Sequence, residues 1–228
     1  MAEMSVAILL YDQVEVLDFA GPFEVFTVAS QQVGGERLAV FTVAQNEGVV
    51  RAIGGLAVLA EHTIAGSPTP DILVVPGGDG SRREMSNDVV VDWVGQVAAT
   101  AELVMSVCSG ARILAKAGLL DGLQVTTHHE VLEHLRELAP RAEVDPTRRY
   151  IDTGRILTTG GISAGIDGSL HVVARLFGEE AARRTARYME YDRQPDFNVR
   201  IRPSSQAGIR DTPVRGADPV PGNGERQR

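Results

Sequence analysis

Residues 103–114 read LVMSVCSGARIL, and this stretch decides the fold class. An apolar run typical of a buried parallel strand ends at Cys108, small residues follow, and a helical pattern then begins. A sharp turn that joins a strand to a helix and carries a reactive side chain is a nucleophile elbow. The stretch therefore predicts an α/β fold with Cys108 at the mouth of a parallel sheet.

Short strands and helices alternate along the chain on both sides of this elbow. Such alternation predicts a mostly parallel sheet with helices on both faces, and ligands that bind beyond the carboxyl ends of the strands. The patterns predict strands at 5–11, 38–44, 71–76, 103–108 and 123–127, hairpins at 49–62 and 149–159, and helices at 22–32, 89–100, 113–117, 130–138, 164–177 and 179–191.

The composition is that of an ordinary globular domain. Of 228 residues, 43% are hydrophobic and 23% are charged, which suits one α/β domain. The net charge of −8 disfavours a nucleic-acid surface, and the first apolar run is too short for a signal peptide or a membrane span. We therefore expect a cytoplasmic protein that binds neither nucleic acid nor membrane.

The composition changes near residue 193, where prolines, arginines and glycines replace most of the apolar residues. We expect one α/β domain over residues 1–192 and a C-terminal extension over residues 193–228. The start of the extension is expected to pack on the domain, and its remainder from about residue 204 is expected to be disordered.

Cys108 is the only cysteine, so an internal disulfide is excluded. At a helix amino terminus, unpaired N–H groups and the helix dipole favour the thiolate over the thiol. Free cysteines, however, are often buried residues that only fill space. The local sequence leaves a nucleophile and an inert core residue as alternatives.

Two further strand ends should meet Cys108 if the sheet is parallel. The predicted strand at 5–11 leads to Asp18, and the predicted strand at 71–76 leads to Gly77 and Gly78. Asp18 is either a helix N-cap or a carboxylate that moves a proton at the thiol. The glycine pair is either a tight turn or an approach to a ligand, in which case the N–H groups of Gly78 and Ser109 form an oxyanion hole.

The histidines argue against a Cys–His hydrolase. That mechanism needs an imidazole within hydrogen-bond reach of the sulfur, and the residue after Cys108 is Ser109. His128 and His129 begin a predicted helix near the same sheet edge, where they are either helix-start polar groups or site residues. No set of His and Cys residues has metal-ligand spacing, so we expect no metal site.

Motifs along most of the chain resemble, in their order, those of the ThiJ/PfpI superfamily, which has the class I glutamine-amidotransferase-like fold. They are VEVLDFAGPFEVF (14–26), PGG (76–78), SVCSGA (106–111), GLLDG (118–122), TTH (126–128) and GGISAGID (160–167). The resemblance implies a flavodoxin-like three-layer sandwich. The aspartate of the first motif and the serine after the cysteine are most similar to the isonitrile hydratase branch, and they also occur in the sensor domains of a class of transcription regulators.

The resemblance also implies roles for individual residues. Cys108 would be the nucleophile and Asp18 its acidic partner. The oxyanion and substrate-binding positions would be Gly77, Gly78, Ser109 and His128. The implied reaction needs no cofactor: the thiolate attacks the terminal carbon of a small isonitrile, and water releases the thioimidate as an N-substituted formamide. Family members are commonly homodimers, so we expect a homodimer.

The sequence departs from the motifs of the hydratase branch at two positions. These departures bear on the identity of the substrate more than on the identity of the nucleophile. A Thr-His-Trp segment of the hydratase branch is Thr127-His128-His129 here, and Ser109 replaces the commoner threonine. Relatives with a Cys-His elbow are disfavoured, and we expect no helix-turn-helix module. The alternatives are a glyoxalase-like conversion of methylglyoxal and a non-enzymatic redox or stress sensor that uses the cysteine.

Overall fold

The structure is a computed structural model that describes residues 4–32 and 38–193. The strands are β1 (Met4–Leu10), β2 (Leu38–Ala44), β3 (Val49–Arg51), β4 (Ala57–Leu59), β5 (His62–Thr63), β6 (Ile72–Val75), β7 (Leu103–Ser106), β8 (Gln124–Val125), β9 (Glu143–Val144), β10 (Tyr150–Asp152) and β11 (Ile156–Thr159). The helices are α1 (Val16–Gln32), α2 (Ser81–Glu84), α3 (Asp88–Thr100), α4 (Ala111–Lys116), α5 (Leu132–Leu138), α6 (Ala164–Phe177) and α7 (Glu179–Tyr188).

Seven strands form the central sheet in the order β10-β11-β7-β6-β1-β2-β5. Its pairs are parallel except for β10 with β11, which is antiparallel. Val75 and Ser106 are register partners, so β6 and β7 end side by side. The segments that follow these strands, which carry Gly77 and Cys108, therefore begin at the same edge of the sheet.

Two groups of helices cover the sheet. Helices α1, α6 and α7 pack on one another, and α4 packs on α2, α3 and α5. The strands in the middle are buried on both faces, which explains why their sequences are continuous apolar runs. The predicted α/β class and the mostly parallel sheet are confirmed.

The first helix begins at Val16, six residues before the predicted start at Pro22. Pro22 lies inside the helix and has no N–H to donate to the carbonyl of Asp18, four residues earlier. Tertiary packing outweighs this loss, because the missing side chain of Gly21 lets α1 approach α6. A Cβ at Gly21 would lie 3.0 Å from Cγ1 of Ile166.

The predicted strand at 123–127 exists but is shorter than predicted. It covers only β8, Gln124–Val125, which pairs with β9 outside the central sheet. The next two residues leave the strand because they bond to other partners. The N–H of Thr126 donates to the side chain of Thr158, and the Thr127 hydroxyl donates to the carbonyl of Cys108.

The predicted hairpin at 49–62 is correct only for its first part. Strands β3 and β4 form an antiparallel pair, but that pair is a separate small sheet. His62 and Thr63 instead join the central sheet beside β2 as β5. The predicted extension, beyond Arg193, lies outside the described residues. None of the helices in the described part of the chain is long and apolar enough to cross a membrane.

Candidate active site

The elbow at Cys108 is a left-handed turn. Cys108 follows β7 with a φ of 55°, which is unusual for a residue other than glycine and stores strain. The backbone N–H of Cys108 donates to the carbonyl of Gly160 at 2.9 Å. The Thr127 hydroxyl donates to the Cys108 carbonyl at 2.7 Å. These two bonds hold the strained residue, and the side chain lies only 7% exposed at the sheet edge.

The turn is possible because Gly110 has no side chain. A Cβ at this position would lie 2.1 Å from the carbonyl oxygen of Val75 and 2.7 Å from that of Pro76. The start of α4 therefore packs directly on the backbone at the end of β6. This close approach brings the thiol next to the segment that carries Gly77 and Gly78.

Asp18 lies in the first turn of α1 and is fully buried. Its Oδ2 accepts a hydrogen bond from the N–H of Gly77 at 2.9 Å, not from an amide of its own helix. The capping interpretation is therefore wrong. Within the described residues, Oδ1 has no hydrogen-bond partner, and the thiol of Cys108 lies close enough to the carboxyl group to lower its pKa slightly.

Burial changes the protonation of both groups. It raises the pKa of Asp18 to about 7, against the weaker opposing effect of the Gly77 N–H. Burial, and then the charge of Asp18, raises the pKa of Cys108 to about 12. Interacting groups share their titration steps, so the pair loses one proton near pH 7 and keeps the second until strongly alkaline pH. The expected free thiolate at the helix start is thus replaced by a thiol beside a carboxyl group that loses its proton near pH 7.

The N–H groups that face the sulfur differ from the predicted set. The backbone N–H groups of Ser109 and Ile162 lie near the Cys108 side chain and lower its pKa, which favours the thiolate. The N–H of Gly78 donates to the hydroxyl oxygen of Ser109 at 2.9 Å, and that hydroxyl donates to the Gly78 carbonyl at 3.1 Å. The predicted pairing of Gly78 with Ser109 as N–H donors is therefore not formed, and Gly78 positions Ser109 instead.

Gly77 and Gly78 are required at their positions for steric reasons. A Cβ at Gly77 would lie 2.5 Å from the nitrogen of Ser109 and 2.9 Å from Oδ2 of Asp18. Gly78 has a φ of 113°, and a Cβ there would lie 2.4 Å from the nitrogen of Glu15. Both glycines thus allow the strand end to lie between the elbow and α1.

A cavity of about 270 Å³ opens above the thiol. It is lined by Glu15, Ile53, Gly78, Asp79, Arg82, Cys108, Ser109, Arg112, His128, Glu130, Val131 and Ile162. Its volume lies just below the range of about 300–1,000 Å³ that is usual for ligand pockets, so it suits a small molecule. Among residues 4–32 and 38–193, no three His, Cys, Asp or Glu side chains are arranged to hold a metal ion.

Of the two neighbouring histidines, only His128 lines this cavity, whereas His129 lines a different surface hollow. His128 also accepts a hydrogen bond from the N–H of Glu130, so it caps the following turn as well. Burial and the nearby His129 lower its pKa, which keeps the imidazole neutral at pH 7. His128 is not among the groups that bond to Cys108.

Sequence reasoning missed three residues of the site. Ile162, with a φ of 50°, supplies an N–H to the thiol from the glycine-rich segment between β11 and α6. The Tyr11 hydroxyl donates to the carbonyl oxygens of Pro76 at 2.5 Å and Gly77 at 3.1 Å, and so fixes the segment after β6. Arg112 lies one helical turn after Cys108, a spacing that places both at the same cavity.

A buried cysteine at a strand–helix elbow of an α/β fold, with a carboxyl group from the first helix beside it, is the arrangement that the family resemblance implied. Comparison with known proteins shows that the chain belongs to the DJ-1/PfpI family, whose model matches residues 4–175. The predicted family resemblance is confirmed.

Similar proteins include an enzyme and transcription regulators. Isonitrile hydratase of Pseudomonas putida is 32% identical over 86% of this chain and 82% of its own length. The HTH-type transcriptional regulator GbdR of Pseudomonas aeruginosa is 30% identical over 83% of this chain but only 51% of its own length. The chain thus spans about half of that regulator, and the predicted absence of a nucleic-acid partner gains no support from such relatives.

Solved structures confirm the predicted fold. A ThiJ/PfpI family protein from Pseudomonas syringae superposes with a TM-score of 0.76 at 30% identity, covering 87% of this chain and 79% of the other. DJ-1beta of Drosophila melanogaster superposes with a TM-score of 0.71 at 20% identity, covering 83% and 99%. Because the two sequences are only 20% identical, the similarity to DJ-1beta shows a shared fold and nothing further.

Proposed function

We propose that the protein is a cofactor-independent, cysteine-dependent hydratase of a small molecule, and that its substrate is an isonitrile. The proposal rests on the position of the buried Asp18 carboxyl group beside the thiol of Cys108, which lines a small cavity. Within the described residues, no imidazole bonds to the sulfur. The similarity to isonitrile hydratase supports the choice of substrate.

The carboxyl–thiol pair suits the first step. When the pair has lost one proton, Asp18 is a carboxylate beside the Cys108 thiol, and it takes up the thiol proton as the sulfur attacks. The sulfur attacks the terminal carbon of R–N≡C and forms a C–S bond. Asp18 donates its proton to that carbon, which gives the thioimidate R–N=CH–S–Cys108.

Water completes the reaction. Asp18, now a carboxylate, takes a proton from the water as its oxygen adds to the thioimidate carbon, and it passes this proton to the nitrogen. The C–S bond of the adduct R–NH–CH(OH)–S–Cys108 then breaks as Asp18 takes up the hydroxyl proton, the thiolate leaves, and the product is the formamide R–NH–CHO. The formamide contains the atoms of the isonitrile and of one water molecule, so the reaction consumes neither an oxidant nor a cofactor. The N–H groups of Ser109 and Ile162 stabilise the negative sulfur before attack and on departure.

The burial of the thiol argues against the redox-sensor alternative. Susceptibility to peroxide follows thiolate character and exposure. Cys108 is 7% exposed, and burial raises its pKa. The glyoxalase-like conversion of methylglyoxal is also disfavoured, because no histidine among the described residues bonds to the thiol. The resemblance further implies a cytoplasmic homodimer with a domain over residues 1–192, and these stay predictions.

The test is the turnover of small alkyl isonitriles by the purified protein, followed by chromatography of the formamide. Wild type is expected to form it, whereas Cys108→Ala and Asp18→Asn are expected to lose most of the rate. Turnover of methylglyoxal without turnover of any isonitrile would replace this proposal with the glyoxalase-like one.

A further inference from the structure

A buried positive charge forms part of the cavity wall beside the thiol. The side chain of Arg112 projects from α4, and the residue is only 3% exposed. It lines the same cavity as Cys108, and the charges of the two side chains influence each other. A guanidinium is always charged in proteins, so this position keeps a cation near the reacting atoms.

The hydrogen-bond partners of Arg112 are neutral. Nη1 donates to the hydroxyl of Ser81 at 3.0 Å, and Nε donates to Nδ1 of His134 at 3.1 Å. Burial and the charge of Arg112 lower the pKa of His134, so this imidazole is neutral at pH 7. No carboxylate within the described residues forms an ion pair with Arg112. A buried charge of this kind is costly unless an opposite charge approaches it.

The acidic groups of the cavity do not supply that opposite charge. Of the three acidic side chains that line it, Asp79 and Glu130 are exposed and therefore solvated, and Glu15 is half-buried. The charge of Asp79 raises the pKa of Arg112, whereas that of Arg82, which also lines the cavity, lowers it. Arg112 is thus the most deeply buried charged side chain among the residues that line the cavity, whereas the exposed carboxylates are screened by water.

Arg112 is also fixed in its orientation. The Ser81 hydroxyl, which accepts from Arg112, donates to the hydroxyl of Ser109 at 3.0 Å. Ser109 directly follows Cys108 and bonds to Gly78. This chain of hydrogen bonds fixes the guanidinium relative to the nucleophile, as the recognition of a charged group requires.

We propose that Arg112 recognises the substrate and that the substrate carries a carboxylate, so the preferred isonitrile is a small isocyano-carboxylate. The inference rests on the function proposed above and adds a substrate class to it. A guanidinium binds a planar carboxylate through charge-assisted bonds, and such a ligand would neutralise the buried cation.

Two matched isonitriles test the proposal: 3-isocyanopropanoate and its neutral amide, 3-isocyanopropanamide. Wild type is expected to show a KM about 10- to 100-fold lower for the carboxylate, since bonds to charged groups have that effect. Arg112→Gln is expected to abolish this difference, and the readout is the ratio of the two KM values measured on the same variant, which does not depend on its kcat. Arg183→Gln removes an exposed arginine on α7 and is expected to leave the difference unchanged.

A binding measurement separates the two proposals. At equal ionic strength, propanoate is expected to raise the Tm of wild type by about 2 °C or more at ten times its Kd, and propanamide is expected to raise it less. Arg112→Gln is expected to lose the propanoate effect. A propanoate effect that depends on Arg112, without turnover of any isonitrile, would support the anion site and contradict the hydratase.

Turnover of both isonitriles with equal KM, together with no propanoate effect on wild type, would overturn the inference and leave the hydratase intact. Arg112→Lys covers the case in which Arg112→Gln does not fold. It keeps the charge and is expected to retain a preference of at least threefold for the carboxylate. A folded Arg112→Gln variant that keeps the full preference would show that Arg112 only ties α4 to its neighbours.

Discussion

The carboxyl group of Asp18 lies close enough to the thiol of Cys108 for each to affect the pKa of the other, and burial raises the pKa of both groups. Asp18 is held in place from its other side by the N–H of Gly77 at 2.9 Å. The pair therefore acts as a single acid that loses one proton near neutral pH and supplies a nucleophile together with a proton donor. The behaviour of this pair can be measured without knowing the natural substrate.

The rate should depend on pH through Asp18. Because the pair must lose its first proton before the sulfur can attack, kcat/KM for an isonitrile is expected to rise with pH around a pKa of about 7. Asp18→Asn is expected to lower kcat/KM by about 10²- to 10⁴-fold and to remove this rise. The check is a pH–rate profile from pH 5 to 9, and an unchanged rise in the variant would contradict the assignment.

Stability should also depend on pH through Asp18. Its pKa is raised on folding, so the folded state binds more protons than the unfolded state between pH 4 and 7, and stability falls as pH increases. Wild type is therefore expected to lose about 2 kcal/mol relative to Asp18→Asn between pH 5 and 8. Urea unfolding at both pH values measures this difference.

The control for that experiment is Asp92→Asn, which changes an exposed aspartate on α3. Its free energy of unfolding, relative to wild type, is expected to be the same at pH 5 and pH 8. A difference between wild type and Asp18→Asn that does not change with pH would show that Asp18 keeps an ordinary pKa.

The hydroxyl of Ser109 should matter for both folding and rate. It accepts from the N–H of Gly78 and from Ser81, and it is nearly fully buried. Ser109→Ala leaves both donors without this acceptor, so a loss of about 1–3 kcal/mol in the free energy of unfolding is expected. Ser109→Thr keeps the hydroxyl and should retain most of the stability and activity. Equal losses in the two variants would mean that packing around the side chain, and not the hydroxyl, is what matters.

The elbow should not tolerate a side chain at Gly110. Alanine places a Cβ 2.1 Å from the carbonyl oxygen of Val75, so Gly110→Ala is expected to cost about 3 kcal/mol or more and to abolish turnover. Gly95→Ala is the matched control, because Gly95 lies in the middle of α3 with no atom within 4 Å of the added Cβ. That change should stabilise the protein by about 0.5–1 kcal/mol. Thermal unfolding that ranks the two variants in the opposite order would contradict the described packing.

Local patterns were sufficient to predict the elements that carry the site. The elbow at Cys108 and the helix at 164–177 follow from apolar periodicity and turn residues, which act over a few positions. The start of α1 could not be predicted in this way. Pro22 normally marks a first turn, and only the contact between Gly21 and Ile166 explains why the helix continues through it.

The chemistry of the site depends on contacts between distant segments, and it was predicted only in part. Asp18 matches an N-cap in sequence, and its bond to Gly77 exists only after β1 and β6 have paired. Ile162 and Arg112 had no distinguishing local pattern, because a backbone N–H is not visible in a sequence and an arginine on a short helix is usually exposed. The proximity of Ile162 to the thiol follows from the pairing of β11 with β7, whereas that of Arg112 follows from its place four residues after Cys108.

The central claim is that Cys108 forms a covalent intermediate with an isonitrile, and the most direct test is the rate of formamide formation from a small isonitrile. Wild type is expected to convert the isonitrile to the N-substituted formamide, and folded Cys108→Ala is expected to be at least about 10³-fold slower. Equal rates in wild type and Cys108→Ala would contradict the claim.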